Sequence, residues 1–154
     1  MILDNAIDRD FSFKIYDIFG FLKAKHLLEK ITKQVIQDLI HKNEIELSST
    51  HRKLCIPIIN RIYKKMVAGI KFSAIKVDKN LICDGHHRYL ASLLADFSIE
   101  RFPTISTSAT TSIDWKAVVF EDMDWDTQAK INMLNEQDAI YNNMTIEQIL
   151  DILK

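Results

Sequence analysis

The sequence predicts an α+β fold, a single domain over residues 1–154 in which a small mixed sheet is flanked by helices. Three observations carry this. Apolar residues recur at helical spacing in several stretches, short strand-like apolar runs separate them, and at Asp84-Gly85 one such run turns straight into an amphipathic helix. A chain of 154 residues suits one domain able to bury about two-thirds of its unfolded surface, so no disulfide or structural metal is needed to hold it.

The segment 10–20 carries Phe11, Phe13, Tyr16 and Phe19 and is expected to pack on the body of the domain, burial being the ordinary fate of large aromatics. Leu27, Leu28, Ile31, Val35, Leu39 and Ile40 predict a helix over about 21–41, broken at Asn43 and at 48–50. A second helix is predicted over about 50–68, with Cys55, Ile59, Ile62 and Met66 inward and Gly69 at its end. Pro57 requires it either to start near that residue or to kink. Strands at 74–77 and 81–83 are joined by a tight turn at 78–80. Leu90, Leu93, Leu94 and Phe97 fall at i, i+3, i+4 and i+7 and predict a helix through Phe97, followed by a strand at 102–105. Six hydroxyl side chains in the seven residues 106–112 mark an exposed connector or a loop that closes over a ligand. A strand at 115–120, a helix at 127–134 led in by Asp126, and a terminal helix through Leu153 opened by the capping-box pair Thr145 and Gln148 complete the chain.

The chemistry concentrates at Asp84-Gly85-His86-His87-Arg88. Amides in the first turn of a helix have no intrahelical partner and sit at the positive end of the helix dipole. Gly85 lets an anion approach the main chain, Arg88 offers a planar fork of donors, and His86 and His87 offer imidazole N–H groups. A phosphate cradle follows from that combination; the alternative is that Asp84 is an ordinary N-cap and the histidines are surface polar residues. Adjacent histidines diverge by about 100° on a regular helix, so they do not form a metal pair, and no metal site is assigned. No P-loop, serine elbow or Rossmann glycine pattern occurs.

On these residues the chain resembles the ParB and sulfiredoxin superfamily of nucleotide-binding domains. The resemblance covers about 52–105, roughly a third of the chain: the helix ending at Ala68-Gly69-Ile70, the strand Ala74-Ile75-Lys76-Val77, the turn Asp78-Lys79-Asn80, the strand Leu81-Ile82-Cys83, the 84–88 turn with its helix, and the strand Phe102-Pro103-Thr104-Ile105. It implies a ParB/sulfiredoxin-like fold in which Gly85, His86, His87 and Arg88 wrap the phosphates of a nucleotide: CTP as in chromosome-partitioning proteins, or ATP or ADP as in sulfiredoxin and the free serine kinases, with Mg²⁺. The chain departs from two branches. Sulfiredoxins keep their catalytic cysteine within this turn, where His86 stands here and Cys83 lies three residues earlier, so sulfinic acid reduction is not expected. After Ile105 only about fifty residues remain, an acidic segment with no helix-turn-helix, so centromere binding is not expected either.

If the domain is an enzyme, the serine kinase branch implies phosphoryl transfer to a small hydroxyl compound, or NTP hydrolysis, with a carboxylate as base. Asp84 and Glu46 are the candidates, with Glu44 beside the latter; Asp84 is also suited to capping the helix, orienting a histidine or holding Mg²⁺. The acids Glu121, Asp122, Asp124 and Asp126 offer Mg²⁺ ligands or a solvated turn. The alternative from another class is a non-catalytic nucleic-acid-binding or regulatory module of the ParB-like, nuclease-like kind; a third is a domain that has kept the fold and lost the ligand.

Charge bears on that choice. Residues 1–76 hold fourteen Lys/Arg against eight Asp/Glu, whereas 77–154 hold six against thirteen. Between Leu47 and Val77 stand Arg52, Lys53, Arg61, Lys64, Lys65, Lys71 and Lys76 and no acid. The stretch either steers a polyanion toward the turn or pairs with the acidic half, and the two can coexist. Cys55 and Cys83 lie in apolar surroundings and indicate no disulfide framework. No signal peptide or long apolar span is visible, so a soluble cytoplasmic protein that does not enter a membrane is expected.

Overall fold

The computed structural model describes residues 30–42 and 45–154. The chain divides into two units, Met1–Lys30 and Ile31–Lys154, and every element given below lies in the second. The aromatic segment 10–20, the first part of the helix expected from residue 21, and Glu44 lie outside the described residues.

Residues 31–154 form an α+β unit. In chain order the elements are α1 (Lys33–His41), β1 (Lys53–Cys55), α2 (Ile56–Val67), β2 (Ile75–Asp78), β3 (Leu81–Asp84), α3 (His86–Ala95), β4 (Arg101–Pro103), a 3₁₀ turn (Trp115–Ala117), β5 (Val119–Glu121), α4 (Gln128–Tyr141) and α5 (Ile146–Leu153). The strands make two small sheets. β1 and β5 pair in parallel, Leu54 opposite Phe120; in the other sheet β2 lies between antiparallel β3 and parallel β4.

Several expected boundaries move, each for a local reason. The helix expected from residue 50 begins at Ile56, because Lys53–Cys55 is drawn into the pairing with β5; Pro57 then sits in the first turn, where its missing N–H costs nothing. α3 stops at Ala95: Asp96 turns left-handed at φ +51°, and the Phe97 amide donates back to the Ser92 carbonyl, a closure that ends the helix before the expected Phe97. The run expected as one strand at 115–120 divides into the 3₁₀ turn and β5, since Asp114 caps the Lys116 amide. α4 continues seven residues past the expected Leu134, and the Thr145–Gln148 capping box forms as expected.

The core lies where α2 and α3 pack on the sheets. Ile59, Tyr63 and Met66 of α2 and Tyr89, Leu90 and Ala91 of α3 are buried, with Leu54, Ile75, Ile82 and Phe120 from the strands. Polar groups at its edge are matched: the Leu47 amide donates to the Tyr89 hydroxyl and the Leu47 carbonyl accepts from Trp115 Nε1. Ile70, Ala139 and Ile149 join α4 and α5 in a smaller cluster backed by Phe72 and Met144. No helix among the described residues is long and apolar enough to cross a membrane.

Candidate functional site

The strand-to-helix junction is where the sequence puts it. β3 ends at Asp84, Gly85 occupies the N-cap position at φ +97°, and α3 starts at His86. Glycine is demanded twice over. A left-handed φ disfavours any side chain, and a Cβ at residue 85 would stand 2.5 Å from Ile75 Cγ2 and 2.8 Å from Arg88 Nη2. With glycine there, the helix has no side-chain cap, and its first inward bond runs from the Tyr89 amide to the Gly85 carbonyl. The amides of residues 86–88 therefore have no partner in the helix.

Asp84 does not cap the helix. Its exposed carboxylate accepts from Arg88 Nη2 at 3.1 Å, an i,i+4 pair, while Arg88 Nη1 donates to Ser73 Oγ at 2.6 Å. The guanidinium is thus held beside the turn by two groups, one from β3 and one from the segment leading into β2.

Each histidine ring uses one nitrogen on the protein's own main chain. His86 is 2% exposed, and its Nε2 accepts the Thr50 amide at 3.1 Å, which assigns the ring proton to Nδ1, a buried atom with no hydrogen-bond partner. His87 Nε2 accepts the Cys55 amide at 3.0 Å. Both rings are acceptors for main-chain donors, one at Thr50, three residues before β1, and one at Cys55, its last residue, so they fasten that stretch of chain to α3. Their environments fit this role. Burial, then the neighbouring His51 and His87, push His86 down to about 3, and burial followed by His51 pushes His87 to about 4 against the opposing pull of Asp126. Each ring is neutral at pH 7. His51 stacks on His86 with centroids 3.8 Å apart, and Trp125 meets His87 edge-on at 5.6 Å.

Glu46 is engaged elsewhere. Arg101 grips both its oxygens at 2.9 and 3.0 Å, and those hydrogen bonds and the charge hold its carboxyl below the usual range, which makes it a poor proton acceptor. Of the four C-terminal acids offered for Mg²⁺, three have other partners: Glu121 accepts from Trp125 Nε1 and lies 3.3 Å from Lys53, while Asp124 and Asp126 both bind Arg61. No group of three or more His, Cys, Asp or Glu able to hold a metal occurs among the described residues.

Lys53, Arg61 and Lys65 of the acid-free stretch pair with Glu121, Asp124 with Asp126, and Asp138 respectively. Much of the charge asymmetry is therefore internal matching. Two cavities lie near the turn, one beside the residues that contact His86 and one bordered by Arg88. One, about 440 Å³, is walled by Thr50, His51, Cys83 and the hydroxyl-rich loop, which Asp78 anchors by accepting from the Ser106 amide and hydroxyl. The other, about 340 Å³, lies between α2 and α4 with Arg88 and Ser73 at its edge. Thr50, His51 and Ser73 escaped the sequence reading because they join the site through contacts with residues 15 to 36 positions away, which no local spacing reports. The chain matches no protein-family model, no curated protein and no solved structure.

Proposed function

We propose that this chain is a ParB/sulfiredoxin-like nucleotide-binding domain in which the first turn of α3 receives the phosphates of a nucleoside di- or triphosphate, ATP, ADP or CTP, with Mg²⁺. The observation that carries the reading is the helix start at Gly85 without a side-chain cap, where the amides of 86–88 have no partner within the helix, and the Arg88 guanidinium held beside it. Such a start offers main-chain donors and a dipole to a phosphate without any rearrangement. In this reading His86 and His87 contribute their amides, while their rings position the turn against β1. Arg88 supplies the charge; its contact with the exposed Asp84 is a surface pair of little strength, which a phosphate can displace. The hydroxyl-lined cleft by Thr50 and His51 suits the polar remainder of a nucleotide. Mg²⁺ would reach the chain through Asp84 and the phosphates themselves.

Phosphoryl transfer to a small hydroxyl acceptor belongs to the same proposal. Asp84 is the better candidate for proton transfer, since it adjoins the turn and Glu46 is clamped by Arg101. Nucleic-acid binding is the weaker reading: it needs the basic stretch as a free surface, and three of its seven cations are paired with carboxylates from the C-terminal half.

Thermal-shift titration with ATP, ADP, CTP and GTP, with and without Mg²⁺, tests the reading, because a ligand of the native state raises apparent stability. A nucleotide-dependent shift that Arg88→Ala reduces is expected. No shift with any of them overturns it.

A further inference from the structure

We propose that the cavity between α2 and α4 is a second ligand site, for a small amphipathic anion: a carboxylate carried on an aromatic or branched apolar body. It adjoins the proposed phosphate-binding turn and shares Arg88 with it, but it is argued from the cavity's own lining and does not depend on the nucleotide reading.

The cavity's size and lining suggest a ligand. At about 340 Å³ it falls within the range of small-molecule pockets, which are mostly apolar with a few convergent polar groups. Ile58 and Ile62 of α2 face Ile131 and Leu134 of α4 across it, with Phe72 and Tyr141 at the rim. Its charged members are four cations, Arg61, Lys65, Lys71 and Arg88, against two carboxylates, Asp126 and Asp138, and Ser73, Asn135 and Gln137 are its neutral polar ones.

Fixed contacts frame the space. In its floor the buried Lys65 ammonium donates to Asn135 Oδ1 at 2.8 Å and pairs with Asp138. At one end Asn142 grips the Lys71 main chain twice, accepting from its amide at 2.7 Å and donating to its carbonyl at 3.0 Å. On another side Arg61 bonds the buried Asp126, which Lys130 also approaches at 2.7 Å. α4 thus stands off α2 on polar struts, and the gap between them is left open instead of closed by side chains.

Donor accounting sets the sign of the ligand. Lys65 has two partners for three ammonium protons, and Arg88 uses two of its five donors, on Ser73 and Asp84. Asp84 and Asp124, outside the cavity wall, offset Arg88 and Arg61. Lys71 is exposed at the mouth, and no carboxylate pairs with its ammonium among the described residues. An anionic head between Lys71 and Arg88, with its apolar body between the isoleucines, satisfies these donors and covers the apolar walls together.

The test is a titration of the ¹⁵N-labelled chain with phenylacetate, 4-phenylbutyrate and the uncharged phenylacetamide, followed by amide shifts. Saturable shifts at Lys71, Ser73, Gln137 and Tyr141 are expected, with phenylacetamide binding at least about tenfold more weakly, the order of one charge-assisted contact. Lys71→Glu should weaken the carboxylates by a similar factor, whereas Lys76→Glu, on β2 away from the cavity, should leave them unchanged. Leu134→Trp should fill the space and abolish binding; if that variant fails to fold, the exposed Lys71→Glu decides. Equal affinity for carboxylate and amide, shifts elsewhere, indifference to Lys71→Glu, or no saturable binding up to about 10 mM would each overturn the proposal. Nucleotide titration of Lys71→Glu separates the sites, since loss of carboxylate binding with nucleotide shifts retained concerns this cavity alone.

Discussion

The α3 start and the α2–α4 cleft both gather basic residues, and they use them in opposite ways. At the α3 start the side chains are turned to structural work, His86 and His87 accepting amides from Thr50 and Cys55, while the main chain is left open. In the cleft the charged side chains are matched against acids from the C-terminal half, Lys65 with Asp138 and Arg61 with Asp124 and Asp126. Charge in the sequence is therefore a poor guide to which basic side chains stay unpaired in the fold. The helix start at the turn has no side-chain cap, whereas in the cleft Arg61 and Lys65 are matched by acids and Lys71 has no carboxylate partner among the described residues.

Substitutions can break this contrast. The largest effect is expected at Lys65, whose side chain is buried against Asp138: Lys65→Ala strands a carboxylate and should cost about 3 to 5 kcal/mol in chemical denaturation. A value under 1 kcal/mol would mean that the pair is a surface ornament. Next comes Gly85→Ala, which meets both the left-handed φ and Ile75 and should cost about 1 to 3 kcal/mol, with nucleotide affinity falling alongside stability. Arg88→Ala should weaken phosphate binding by about 1.5 to 3 kcal/mol in calorimetry while the melting temperature hardly changes, since its partners Ser73 and Asp84 are exposed. Unchanged affinity removes Arg88 from the site.

A gentler test uses pH. Burial holds His86 at about 3 and His87 at about 4 in the fold, against about 6.5 when unfolded. Between those values the unfolded chain binds protons that the folded chain refuses, so these two groups make stability rise with pH. Their contribution is complete above about pH 6.5 and is lost progressively as the pH falls toward 4 and then 3. Denaturation midpoints measured from pH 7 to pH 4 should fall, and His87→Gln should flatten part of the slope. A midpoint that is level across that window would show that the rings are not buried as neutral acceptors.

What the sequence disclosed follows the range of the interactions. The Gly85 turn, the Thr145–Gln148 capping box and the strands around the 78–80 turn were legible because each is a rule about neighbours within a few positions. The short pairing of Lys53–Cys55 with β5 was not, since its partner lies 66 residues away and outweighs the helical spacing that runs through Cys55. The histidines show the same division. Their position at a helix start could be read, but the inward turn of their rings depends on Thr50 and Cys55, which the fold delivers from 32 to 36 positions upstream. Lys65 gave no sign of burial beside Lys64, because its partners Asn135 and Asp138 belong to a helix whose packing no local pattern encodes.

Cys55 has a further use. It lies between β1 and α2 with its amide on His87, and its fully buried thiol donates to the Met123 carbonyl. A thiol so enclosed is chemically silent until the elements around it part, whereas the partly exposed Cys83 is within closer reach of a reagent. The molecule thus carries its own stopwatch: the rate at which an alkylating agent marks Cys55, read against Cys83, counts how often α3 lets go of β1.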